Sequence, residues 1–178
     1  MSQPAKRALL VIDLQNDYFP GGKFPLWNAE TTLNNIEVAI NRAQQAGETV
    51  VLIQHVADAK MGIAPFFNEG TEGVTIHPRI RALAPGAPII VKAFADSFHD
   101  TSLETILSEL GVETLLICGM MTQNCVTHTA ISKSAEKYRV SIIEDCCTTV
   151  DQMIHKIALR AVSTRTSLVL LDEALPAG

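Results

Sequence analysis

Apolar residues gather along this chain in short runs with little polar alternation, at 8–12 (ALLVI), 49–53 (TVVLI), 89–91 (IIV), 115–118 (LLIC), 140–143 (VSII) and 168–171 (LVLL). Such runs suit strands covered on both faces, as in parallel sheets. Between them the apolar spacing changes to steps of three and four. Leu33, Ile36, Ile40 and Ala43 form one face of a helix over 31–46, with Thr31 or Thr32 as cap and Gly47 as terminator. Thr101-Ser102-Leu103-Glu104 reads as a capping box that opens a helix through Leu110, stopped by Gly111. A further helix begins a few residues after Gly119 and runs to about Tyr138, and Asp151 caps another through Val162. Residues 14–22 have loop composition, and the irregular stretch 56–77 is long enough for a lid or binding loop. Strands alternating with helices predict parallel βαβ units with right-handed crossovers, hence one three-layer α/β domain over 1–178.

Ligands in open α/β sheets bind beyond the carboxyl ends of the strands. Asp13 follows the first run, Lys92 the third, and Cys125 lies just after the fourth, so one rim collects all three. Cys125 falls near the expected helix start, where free backbone N–H groups favour a thiolate. A carboxylate can take the thiol proton, and an ammonium can stabilise both anions. The backbone N–H groups of Met121 and Cys125 offer an oxyanion hole. Plainer readings stand beside these. A strand-end aspartate is commonly a turn former, a strand-end lysine a solvated charge, and a lone cysteine a small buried hydrophobe. Cys118 reads as strand core, Cys146 and Cys147 as loop packing, and Asp145 as a cap or turn residue. Phe19, Trp27, Phe66, Phe67 and Phe98 lie in rim loops, where they can line an apolar pocket.

Composition narrows the classes. With 178 residues, 47% of them hydrophobic and 19% charged, the chain can bury a core without disulfide help. A formal net charge of −5 with no cluster of Lys and Arg argues against nucleic acid as a partner. The N-terminal segment has too short an apolar run for a signal peptide, and no stretch approaches the roughly 20 residues of a membrane span. The four cysteines lack disulfide-framework spacing, and Cys146 and Cys147 are adjacent, so a reducing cytoplasm is the expected setting. The single Gly119 is no G-x-G-x-x-G, so a dinucleotide is not expected.

Three segments carry a family resemblance. They are Leu10-Val11-Ile12-Asp13-Leu14-Gln15-Asn16-Asp17-Tyr18-Phe19; Val91-Lys92 with Asp96-Ser97-Phe98 and Thr101-Ser102-Leu103; and Gly119-Met120-Met121-Thr122-Gln123-Asn124-Cys125-Val126 with Thr129. In this order and spacing, over nearly the whole chain, they resemble the isochorismatase-like cysteine hydrolases. The resemblance implies a Rossmann-like α/β/α arrangement around a six-stranded parallel sheet. It further implies a catalytic triad of Asp13, Lys92 and Cys125, a cis peptide between Met120 and Met121, a small-molecule substrate, and assembly as a homo-oligomer, dimer or tetramer.

Two departures narrow the reading. The family's metal-binding members, the nicotinamidases, carry Asp-x-His after strand two. Here Ile53-Gln54-His55 stands there, so a carboxylate ligand is missing. No metal or cofactor is therefore expected, and His55 reads as a loop imidazole beside a pocket that Phe19, Trp27 and Phe98 would help to line. Isochorismate hydrolases proper lack the nucleophilic cysteine that this chain has. The expected function is metal-independent hydrolysis of a small amide through a thioester. The alternatives are a nicotinamidase with metal ligands from elsewhere, and a redox-responsive or ligand-binding protein using the same cysteine.

Overall fold

The computed structural model describes residues 5–178. Six strands form one parallel sheet: β1 (Arg7–Ile12), β2 (Thr49–His55), β3 (Ile89–Lys92), β4 (Thr114–Met120), β5 (Arg139–Thr148) and β6 (Ser167–Val169), in the order β3-β2-β1-β4-β5-β6. The helices are α1 (Ala29–Gln45), α2 (Pro78–Leu83), α3 (Leu103–Glu109), α4 (Thr127–Ala130), α5 (Gln152–Val162) and α6 (Leu171–Ala174). The period of two along β1 divides the core. Leu9 and Val11 point to the side of Leu33, Ile36 and Ile40 on α1, while Ala8, Leu10 and Ile12 join Leu103, Leu107, Leu159 and Val162 on the other. That division produces the three layers expected from the unbroken apolar runs. None of the described helices is long and apolar enough to cross a membrane.

The order reverses between β1 and β4, the point at which a doubly wound sheet opens a crevice. Asp13 follows β1, and the Cys125 segment follows β4. Gly119 makes their approach possible. It lies opposite Ile12 in the ladder with φ +125°, and a Cβ built there would stand 2.1 Å from the Ile12 carbonyl oxygen. We expect Gly119→Ala to destabilise the chain by about 3 kcal/mol or more, since backbone must move as well as adopt a strained φ. Chemical denaturation measures this; a loss below ~1 kcal/mol would contradict the close approach.

Local signals set most elements but misplace several ends. The helix expected from beyond Gly119 to Tyr138 is broken. Strand β4 continues to Met120, Thr122–Val126 form a π-helical turn, α4 adds one turn, and Lys133–Lys137 are 3₁₀. Helix α1 starts earlier than its threonines suggest, under Asn28 in the left-handed region, with no side-chain cap. The capping box at 101–104 does not close, because Thr101 Oγ1 donates to the Ser97 carbonyl at 2.6 Å and Glu104 pairs with Lys137. Asp151 does cap α5, accepting from the Ile154 N–H at 2.8 Å. Helix α2 was hidden in the Pro78 segment, where Pro at the first turn follows His77 as cap. Strand β5 runs past a register shift opposite 117–119. Beyond it the Asp145 carboxylate receives the Leu171 N–H at 2.8 Å, a capping role at the start of α6.

Candidate active site

Asp13 leaves β1 in the left-handed region, φ 56°, with its N–H bonded to the Ile53 carbonyl at 3.1 Å. Aspartate tolerates this conformation better than bulkier residues do. Lys92, the last residue of β3, sends its side chain past the end of β2 toward the switch point. Its Nζ stands 3.1 Å from Asp13 Oδ2, 3.2 Å from Cys125 Sγ and 2.9 Å from His55 Nδ1. The structure thus brings together the three residues singled out from strand ends, and all are buried: Asp13 0%, Lys92 3% and Cys125 2% exposed. The second oxygen of Asp13, Oδ1, is also buried and has no hydrogen-bond partner among the described residues.

The electrostatics differ from the sequence expectation in one respect. Burial first, and then the Asp13 carboxylate, push the Cys125 thiol well above its ordinary range, against the opposing pull of Lys92. The predicted acidification assumed a helix N-terminus. Cys125 instead lies inside a π turn followed by a helix of only four residues, whose dipole is short. Burial alone would lower the Lys92 ammonium, but the charges of Asp13 and Cys125 and its hydrogen bonds to both outweigh that and leave it raised. Both shifts favour a protonated thiol beside the Lys92 ammonium. The Met120–Met121 peptide is cis.

The motif residues between the three groups act as ties. The Gln15 side chain donates to the carbonyls of His55 and Val74, each at 2.7 Å, and accepts the His55 N–H at 2.8 Å. Buried Asp17 accepts the N–H of Lys23 at 3.1 Å and of Phe67 at 2.8 Å, latching the two rim loops together. Gly73 leaves room for that carboxylate, since a Cβ there would meet Asp17 Oδ1 at 2.0 Å. Ser97 joins Thr129 through side chain and backbone, at 2.8 and 3.0 Å, so the loop after β3 is fixed against α4. Thr122 Oγ1 is hydrogen-bonded to His155 on α5 at 2.7 Å. Composition marked Gln15 and Asp17 only as loop residues. Their position just beyond Asp13 was the signal that they serve the site.

The expected pocket aromatics divide. Phe98 is buried in the core cluster on the α3 side that also holds Cys125, and stacks on Tyr138 at 6.2 Å between centroids. Its place in a rim loop does not decide its direction, and the ring goes where apolar contacts are. Phe19 is buried against His77 at 4.6 Å, and Trp27 stays 36% exposed near His155. Phe66 and Phe67, also expected as pocket aromatics, join Tyr18 and Phe24 in one aromatic cluster. Tyr18 packs on the other three, and Phe67 lies 5.9 Å from the His55 ring. Burial, and then the charges of Asp13 and Cys125, push the Tyr18 hydroxyl above its ordinary range.

The family model described as "Isochorismatase domain" matches residues 7–173. The chain belongs to the isochorismatase family. The isochorismatase family protein YddQ of Bacillus subtilis is 40% identical over 83% of this chain and 80% of its own length. The nicotinamidase of Escherichia coli is 27% identical over 79% of this chain and 82% of its own. A crystal structure described as an isochorismatase hydrolase, from Oleispira antarctica, superposes with a TM-score of 0.87 at 30% identity, covering 99% of this chain and 100% of that one.

A pyrazinamidase of Pyrococcus horikoshii, similar in fold, is described in complex with zinc. Ligand atoms of Asp13, His55 and Cys125 lie within 4.8 Å of one another. Lys92 Nζ, however, is within hydrogen-bond distance of all three. A divalent cation among these donors would press against an ammonium, and Ile53 supplies no carboxylate. The residues present do not fit a metal ion.

Proposed function

We propose that this isochorismatase-family protein hydrolyses a small, non-peptide amide through a thioester on Cys125. The observation that carries the reading is the contact of one ammonium with both Asp13 Oδ2 and Cys125 Sγ, while Asp13 Oδ1 stays buried and unpartnered. Oδ1 is the free acceptor for the thiol proton. Substrate arrival delivers a carbonyl carbon to sulfur as Asp13 takes that proton, so the thiolate forms only when it is consumed. Lys92 stabilises the sulfur anion and stays paired with Asp13 Oδ2 until the transfer. The N–H groups of Met121 and Cys125 receive the developing oxyanion. The C–N bond then breaks, the amine leaves with the proton held by Asp13, and the acyl group remains on sulfur. Water activated by Asp13 attacks the thioester, releasing the carboxylic acid and returning the proton to Cys125. Nicotinamidase, named for an amide substrate, is among the relatives, and this supports a C–N rather than a vinyl-ether bond.

A panel of small primary amides and lactams, followed by intact-mass measurement after acid quench, tests the reading. The expected result is an acyl adduct mapped to Cys125 together with release of ammonia or amine, and a rate unchanged by chelators. Amide turnover that persists after Cys125 is blocked would sink it. A rate lost on chelation and restored by zinc would favour the metal-assisted alternative.

A further inference from the structure

A lysine ammonium has three N–H donors, and here three acceptors surround it. Two belong to the proposed reaction. The third, His55, has no part in it. We propose that His55 is a positioning residue whose neutral imidazole accepts the third Lys92 proton through Nδ1 and so pins the ammonium between Asp13 and Cys125. The inference rests on the hydrolase reading of this site and adds a residue to it. An ammonium offers no lone pair, so the ring nitrogen 2.9 Å away must be the acceptor and the ring must carry its proton on Nε2.

The setting holds the ring in that role. Gln15 binds both the N–H and the carbonyl of His55, so the imidazole hangs from backbone fixed to the loop that begins at Asp13. Phe67, from the 56–77 loop, packs against the ring at 5.9 Å between centroids. The charged and titratable groups that reach it are Lys92 from β3, Asp13 beyond β1 and Cys125 from the π turn. Burial, reinforced by the Lys92 charge and opposed by Asp13, holds the imidazole below the ordinary histidine range. A protonated ring would set a second cation against Lys92 Nζ and remove its acceptor. Without His55 the third N–H is orphaned in a buried site, and the ammonium can rotate off the line joining carboxylate and sulfur.

Two variants and one spectrum test this. His55→Leu removes the acceptor while keeping bulk, and His55→Asn returns an oxygen near the place of Nδ1. His55→Leu is expected to lower kcat by about 10- to 100-fold, the size of a lost hydrogen bond to a charged group, with KM within about threefold of wild type. His55→Asn is expected to recover most of that loss. In wild-type protein carrying ¹⁵N-histidine, the resonances absent from His55→Asn should show a protonated Nε2 and an unprotonated Nδ1 at neutral pH. That state should persist below the ordinary histidine value of about 6.5. An imidazolium or an Nδ1–H tautomer at neutral pH overturns the proposal, as does a His55→Leu enzyme with wild-type kcat. The spectrum needs no substrate, so it decides the tautomer even if no amide is turned over or His55→Leu fails to fold.

Discussion

Replacing Cys125 with alanine is expected to reduce amide turnover by about 10⁴-fold or more while the chain stays folded. The two effects separate because they have different origins. Cys125 is buried beside Val126 in the core on the α5 side, and removing one sulfur atom there leaves a small cavity costing about 1 kcal/mol. The covalent step, by contrast, has no substitute nucleophile. Cys118 and Cys147 are buried with thiols pushed up by burial, and Cys147 is committed to the backbone of β5, donating to the Ile143 carbonyl at 3.3 Å. Steady-state hydrolysis and thermal denaturation of Cys125→Ala check both halves; residual turnover within tenfold of wild type would remove Cys125 as nucleophile. The raised thiol sharpens this further. A resting thiolate would be alkylated rapidly at neutral pH, whereas a neutral, 2% exposed thiol should react slowly and faster as pH rises. A redox sensor would need the opposite behaviour.

How much of this was legible beforehand follows from what kind of interaction fixes each part. The sheet was readable because short apolar runs such as Leu9-Leu10-Val11-Ile12, alternating with helical spacing, suit strands buried on both faces. The rim position of Asp13, Lys92 and Cys125 followed from strand ends, a one-dimensional fact. The broken helix after Gly119 was not readable. A π turn has no propensity signature, and its place is fixed by tertiary ties such as Thr122 to His155 and Thr129 to Ser97. The same holds for the thiol. Local sequence predicted a helix-end effect that lowers its pKa, but burial by distant segments decided the sign. The directions of Phe98 and Gln15 were not readable, for one reason. Whether a loop side chain faces the core, a pocket or another loop depends on partners tens of residues away, and neither composition nor periodicity carries that information.

The Asp13–Lys92 pair should show activity and stability moving independently. The pair is 0% exposed at both side chains, so removing one member leaves a charge in low dielectric without its counter-ion. Asp13→Asn keeps shape and tolerates φ 56°, yet strands the ammonium; Lys92→Met strands the carboxylate. Each single variant is expected to lose about 3–5 kcal/mol. The double variant removes both charges and should recover most of that loss, because replacing a whole buried pair is often close to neutral. Activity should not recover. Asp13→Asn cannot accept the thiol proton, and Lys92→Met cannot support the sulfur anion, so all three variants should fall by about 10²- to 10⁴-fold. The pH dependence has a definite sign. A folded-state Lys92 pKa above the ordinary lysine value of 10.5 means its contribution to stability is complete below that value and lost as pH rises through the folded pKa. The stability difference between wild type and the double variant should accordingly stay flat from neutral pH upward and change only on the strongly alkaline side. Denaturant titrations of the four proteins measure this cycle. Additive losses in the double variant would mean the two side chains are not coupled. A double variant that regained both stability and turnover would show that neither charge takes part in the chemistry.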